Sequence, residues 1–223
     1  KLLAAHRIAM ALGYVGLVNR ARVIAASFGG EADGRARVLR ALRGRTSIER
    51  LGEFLLQSAR EGAGRGVGGG LGAGRGGASA AETFERAMRT IARSRSGRGV
   101  VVLISDMLLP LEGASAGLSY LAGSAGFESF VIQTLSPGEI EPQALVEKGL
   151  VGDLRLMDAE SGRAAEVTIT GDVIRRYKRN FEAHQEGLVR ACAARSIVHV
   201  LTPTSVTADE LVLRSLRARR LVG

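Results

Sequence analysis

The chain is poor in cysteine, in aromatic residues and in long apolar runs. Its one cysteine, Cys192, rules out an internal disulfide framework and points to a reducing compartment, the cytoplasm. Six phenylalanines, three tyrosines and no tryptophan are too few for the stacking platforms that hold single-stranded nucleic acids. No apolar run approaches the roughly 18 residues of a membrane span. The longest, around Val100–Ile104, is strand-sized, and an anchor upstream of Lys1 is left open. Three histidines and one cysteine are too scattered along the chain to build a zinc site.

What is present fits a single domain spanning 1–223, since 223 residues is an ordinary domain length. An apolar fraction of 46% with 24% charged residues excludes a disordered or collagen-like chain. The formal charge of +9 raises nucleic acid, anionic lipid or an acidic partner as candidates. That charge is unevenly spread. Residues 1–98 hold 18 basic against 7 acidic side chains, 99–171 hold 3 against 10, and 172–223 hold 10 against 5. The basicity is confined to the two ends and the middle is acidic.

Glycine is equally uneven: ten of the thirty lie in Gly62–Gly77 (GAGRGVGGGLGAGRGG). With no periodic apolar face to repay the ordering entropy, this stretch reads as a flexible insert within the domain. Its Gly-Arg-Gly units at Arg65 and Arg75 resemble RNA-binding RGG segments, but no aromatic accompanies them. It also lacks the preceding strand and the Gly-Lys-Ser/Thr ending of a phosphate-binding loop, so a solvated linker is the plainer reading.

Leu3, Ile8, Leu12 and Val15 fall near helical spacing, which predicts a helix over Leu2–Val18. Arg22–Phe28 reads as a strand stopped by Gly29-Gly30. Arg35–Ala59 reads as two helical pieces parted near Gly44, with Thr46 or Ser47 able to cap the second. Ser79-Ala-Ala-Glu82 is a capping box opening a helix through Phe84, Met88 and Ile91. Val100–Ser105 is an unbroken apolar run, the pattern of a parallel strand buried on both faces. A short helical stretch near Leu118–Leu121 and a strand at Phe130–Leu135 follow. Alternation around Glu160-Ser-Gly-Arg163 predicts a β-hairpin over 153–170. Val173–Arg195 reads as a long helix with Val173, Tyr177, Phe181, His184, Leu188 and Cys192 on its apolar side. A strand at Ile197–Leu201 and a helix boxed by Thr207-Ala-Asp-Glu210 close the chain. Alternating helix and strand imply an α/β fold: a doubly wound, mostly parallel sheet, with the hairpin as an addition.

In such sheets ligands gather at the carboxyl ends of the strands. Asp106 is the acid placed there directly, where it can hold Mg²⁺ or another hard cation; a turn acid before Met107–Pro110 is the plainer alternative. Gly113-Ala-Ser115-Ala-Gly117 matches the nucleophile-elbow pattern, with acids and His184 or His199 downstream. A Ser hydrolase using Ser115 would need that serine on a sharp turn directly after a strand, and it lies nine residues beyond Asp106. His184 and His199 read as packed core histidines, and Cys192 as an inert core thiol.

The segments VVVLISDML (100–108), LSPGEIEP (135–142), GLVGDLRLMDAESGRAAEVTI (149–169) and YKRNFEAHQEGL (177–188) resemble a bacterial family. It is the von Willebrand A-like family numbered fifty-eight among the domains of unknown function. KLLAAHRIAMALGYVGLVNRARVIAASFG at the start and LRARRLV at 216–222 extend the resemblance over nearly the whole chain. It implies a metal-ion-dependent adhesion site at the carboxyl edge, made of an Asp-x-Ser-x-Ser loop, a Thr and an Asp. Asp106 matches the last element, and Ser79 stands where the Thr is expected, with Thr83 a turn later. No Asp-x-Ser-x-Ser occurs, and Lys1 opens with a helix pattern already running. The expectation is a fragment whose first, central strand is missing, a gap in the sheet, and weak or no binding of a divalent cation. The resemblance further implies a non-enzymatic protein-interaction module partnering a MoxR-type AAA ATPase. The alternative is a basic nucleic-acid or acidic-surface binder, whose binding would fall steeply with salt.

Overall fold

The computed structural model describes residues 1–29, 35–65, 79–122, 126–142, 152–157 and 164–212. The glycine-rich stretch from 66 onward, the hairpin tip at 160–163 and the closing 216–222 segment therefore lie outside the described residues. In chain order the elements are α1 (Leu2–Val18), β1 (Ala26–Ser27), β2 (Arg37–Val38), α2 (Ile48–Arg65), α3 (Ala80–Ser94), β3 (Gly99–Ser105) and α4 (Leu111–Ser119). Then come β4 (Phe127–Leu135), α5 (Pro137–Ile140), β5 (Gly152–Met157), β6 (Ala164–Ile169), α6 (Gly171–Ala193), β7 (Ile197–Pro203) and α7 (Ala208–Glu210).

β3, β4 and β7 form a three-stranded parallel sheet with β4 in the middle. Successive residues of a strand point to opposite faces, and here each face carries its own core. Val131 packs with Phe84, Met88, Leu118, Leu188 and Cys192 of α3, α4 and α6. Its neighbour Ile132 packs with Ile8 of α1, Val200, Leu211 and Val212. Helices thus flank both faces, the α/β architecture expected from the alternation of elements. Burial raises the Cys192 thiol to about 11. A disulfide reagent at pH 8 should leave the native protein unlabelled and react in full only after denaturation; native labelling within minutes would contradict this burial.

Three expectations are corrected. β3 is not buried on both faces: Val100 is 46% exposed and Leu103 is its one fully buried residue. The reason is position. Among the described residues β3 is hydrogen-bonded on one side only, whereas β4 has partners on both and is buried from Ser129 to Leu135.

The second correction concerns the first helical piece expected after Arg35. This segment pairs instead with the strand before it, Ala26 opposite Val38 and Ser27 opposite Arg37, with a bridge from Val23 to Leu42. Leu39 N–H donates to Ala25 O, and Val23 and Leu42 exchange both backbone bonds. An isolated helix this short is marginal, and an antiparallel ladder satisfies the same backbone while placing Val23, Leu39 and Leu42 in a third core with Leu17 and Leu51. Among the described residues this pair is a separate two-stranded sheet, joined by no strand pairing to β3. Before α2, Gly44, at φ 75°, opens a 3₁₀ turn over Arg45–Ser47, and the Ser47 hydroxyl donates back to Arg43 O. α2 then runs on to Arg65, into the start of the glycine stretch. A helix already propagating tolerates each glycine at about 1 kcal/mol.

The third correction is to the apolar side of α6. Leu188 and Cys192 are fully buried, but Val173 and Tyr177 are 43% and 38% exposed, and Ile174 is buried in their place. The hairpin forms as expected, with Leu154 opposite Val167 and Gly152 opposite Ile169.

Candidate functional site

β3 and β4 are parallel, so Asp106 and the α5 turn leave the sheet at the same edge. The loop after β3 is tightly specified. Ser105 Oγ accepts from Met107 N–H at 3.1 Å, and Asp106 Oδ1 accepts from Leu108 N–H at 3.4 Å. Met107 itself has φ 52°, the left-handed region that a side chain with a Cβ disfavours, and its side chain is wholly buried.

Two side chains from other elements clamp the loop carbonyls. Gln133 of β4, fully buried, donates from Nε2 to Asp106 O at 2.9 Å, and His184 of α6 places Nε2 2.9 Å from Met107 O. A carbonyl only accepts, so His184 carries its proton on Nε2. The Gln133 amide is oriented by the same logic: its NH₂ faces Asp106 O, which leaves Oε1 to accept from His199 Nε2 at 3.0 Å. A hydrogen-bonded line therefore crosses all three parallel strands, from His199 on β7 through Gln133 to the end of β3. Both histidines, read from the sequence as core residues, position the loop.

The Asp106 side chain meets a cation. Lys1 Nζ lies 3.0 Å from Asp106 Oδ2 and 2.7 Å from Glu139 Oε1. Glu139 is held in turn by the capping box of α5, its Oε2 accepting from Ser136 N–H at 2.8 Å and from Ser136 Oγ at 2.7 Å. Tyr177 of α6 donates its hydroxyl to Glu139 O at 2.8 Å. Burial works against the charge on Lys1, but the hydrogen bonds to Glu139 and Asp106 outweigh it and hold the ammonium above its ordinary value. Burial opposes the Glu139 charge as well, and there Lys1 and the Ser136 amide prevail and hold the carboxyl below its usual range. Burial and then the Glu139 charge push the Tyr177 phenol up.

Ser79 is elsewhere employed. Its hydroxyl accepts from Glu82 N–H at 3.2 Å, and its own N–H donates to Glu82 Oε2 at 2.7 Å, closing both halves of the expected capping box. The Ser79 amide holds the Glu82 carboxyl low. Thr83 is buried one turn on, and among the described residues no hydrogen bond joins Ser79 to Asp106.

Ser115 lies within α4, not on a strand-to-helix turn, and its Oγ accepts from Arg195 Nη2 at 2.7 Å. The glycines of the Gly113–Gly117 pattern have a packing reason. A methyl on Gly113 would run into Ala81 of α3, and one on Gly117 into the Phe84 ring.

At the opposite end of the sheet Arg89, Arg93, Arg95, Ser119 and Tyr120 line an open cleft of about 540 Å³. Arg89 is bound to Glu85 and to the Tyr120 hydroxyl, and Arg95 donates to the carbonyls of Tyr120 and Leu121. These two arginines satisfy a helix C-terminus and a carboxylate rather than stand free for an anion.

Sequence reasoning placed Asp106 at the sheet edge but missed Lys1, Gln133 and Tyr177. Glu139 carried a readable signal, since Ser136-Pro-Gly-Glu139 has capping-box spacing. Lys1 carried none, because its partners are 105 and 138 residues away. Among the described residues no helix is long and apolar enough to cross a membrane. Comparison with protein-family models, with curated proteins and with solved structures gives no match to this chain.

Proposed function

We propose that this chain is a protein-interaction module of the von Willebrand A type whose working surface is the carboxyl edge around Asp106. The observation that carries the reading is the over-determined Asp106–Met107 loop. A buried non-glycine residue in the left-handed region costs on the order of 1–3 kcal/mol and persists only where surrounding contacts impose it. Here Gln133, His184 and Ser105 impose it, and what the strain secures is the outward direction of one carboxylate. The von Willebrand A-like form of the fold draws support from β3, which among the described residues is paired on one side only. In this reading another segment supplies the strand on its open side.

The resemblance implies a divalent cation, Mg²⁺ in the first place. Hard cations take six or more oxygen ligands. Asp106 Oδ2 and Glu139 Oε1 converge on one point, but Lys1 Nζ holds that point, and the Ser79 hydroxyl is committed to the Glu82 amide. These residues by themselves do not fit the ion, and no step is routed through it.

The partner in this reading is a MoxR-type AAA ATPase, which supplies the work while the Asp106 edge supplies recognition. The test is retention of such a purified ATPase on the immobilised full-length protein. Wild type should hold it, and Asp106→Ala should weaken it about tenfold or more. Equal retention by the two forms overturns the reading.

A further inference from the structure

The mismatch between the implied ion and the residues at the edge has a content of its own. We propose that Lys1 is the resident cation of the Asp106–Glu139 pair, so that the edge is a lysine-bridged dicarboxylate which a divalent ion enters only by displacing the ammonium. The proposal deepens the functional reading above and rests on it in taking this edge as the working surface.

Three observations carry it. Each carboxylate has one oxygen locked by its own turn, Asp106 Oδ1 by the Leu108 amide and Glu139 Oε2 by Ser136. The remaining oxygens, Oδ2 and Oε1, come from the ends of two neighbouring strands and meet on the same nitrogen. An ammonium is a compact charge with three donors and no acceptor, which suits two anionic oxygens set to one point.

Next, Lys1 stands at the N-cap of α1, makes no side-chain cap there, and α1 has no acid in its first turn. α1 gives that ammonium no partner of its own, and the two carboxylates set its position. Finally, the group sits at the mouth of the edge. The side chains of Lys1, Asp106 and Glu139 are 36%, 34% and 26% exposed, within reach of a soluble ion. One positive charge against two negative ones leaves a net attraction for a competitor.

The test is Mn²⁺ titration of the full-length protein, read by electron paramagnetic resonance, in wild type, Lys1→Gln and Lys1→Arg. Lys1→Gln should bind Mn²⁺ at least tenfold more tightly than wild type, and Lys1→Arg, which keeps the charge, should match wild type. Equal affinity in wild type and Lys1→Gln overturns the proposal, and so does micromolar binding by wild type itself. Neither outcome touches the Asp106 reading, which the ATPase retention experiment decides separately. A second readout does not depend on a Lys1 variant folding. In the 223-residue chain, which holds three lysines, ¹⁵N-lysine labelling gives three Nζ resonances. Glu139→Gln should move one of them and leave two in place; three unmoved resonances also overturn the proposal.

Discussion

Replacing Gln133 by leucine should destabilise the protein by about 2–4 kcal/mol, although leucine is close to glutamine in size. Gln133 is fully buried in the central strand and joins His199 Nε2 to the backbone carbonyl of Asp106. Leucine keeps the packing and removes both bonds. Each buried polar group that loses its partner costs about 1–3 kcal/mol, more than the bond itself contributed. For a chain of this length that loss should lower the thermal midpoint by roughly 5–15 °C. Urea denaturation measures it, and a double-mutant cycle with His199→Phe should show coupling above about 0.5 kcal/mol. A Gln133→Leu protein within about 0.5 kcal/mol of wild type would mean that the line across the three strands does not hold the Asp106 loop.

Gly117→Val should be comparably severe, by about 3 kcal/mol, for the opposite reason of too much volume. α3 and α4 approach through Gly113 and Gly117, and a Cβ on Gly117 would overlap two atoms of the Phe84 ring. That ring cannot easily swing away. It is 4% exposed, and Phe28 packs on it edge to face at 6.0 Å. Overpacking a filled core costs typically 1–3 kcal/mol, and a β-branched residue adds a second clash while recovering little helix propensity. Gly52→Ala in α2 is the control. Its nearest neighbour would be Met10 Cε at 3.6 Å, ordinary contact, so the substitution should stabilise by about 0.5–1 kcal/mol. Thermal melts of the two variants should move in opposite directions. A Gly117→Val midpoint equal to wild type would show that the helices part without cost.

That glycine explains how a sequence pattern can point to chemistry that its surroundings do not assemble. Gly-x-Ser-x-Gly at 113–117 reads as a nucleophile elbow because the elbow and a tight helix contact both want small residues at that spacing. Which of the two applies depends on what lies opposite, and the sequence of α4 alone does not contain Ala81 and Phe84. The same limit produced the misreading of Arg37–Val38. Val38, Leu39 and Leu42 satisfy a helical period, and only the availability of Val23–Ser27 as a partner turned them into a strand.

Local rules were otherwise dependable where they close within a few residues. The capping box at Ser79–Glu82, the Thr207 cap, the run 100–105, the strand at Ile197 and the helix over Leu2–Val18 are intra-segment physics, and the structure contains each of them. The order of helices and strands in turn implied a parallel sheet covered on both faces. The sequence also placed Asp106 at the edge where the strands end.

What the tertiary structure decided is everything that depends on a second segment. Among the described residues it made β4 the buried centre and left β3 paired on one side only, because burial follows the number of neighbouring strands rather than the apolarity of one. It set His184 on the Met107 carbonyl, and His199 on the Gln133 amide that holds the Asp106 carbonyl. And it set Lys1 between Asp106 and Glu139, across separations of 105 and 138 residues. A carboxylate's position can be read from the strand that ends before it, but the charge it faces is set only when distant parts of the chain meet.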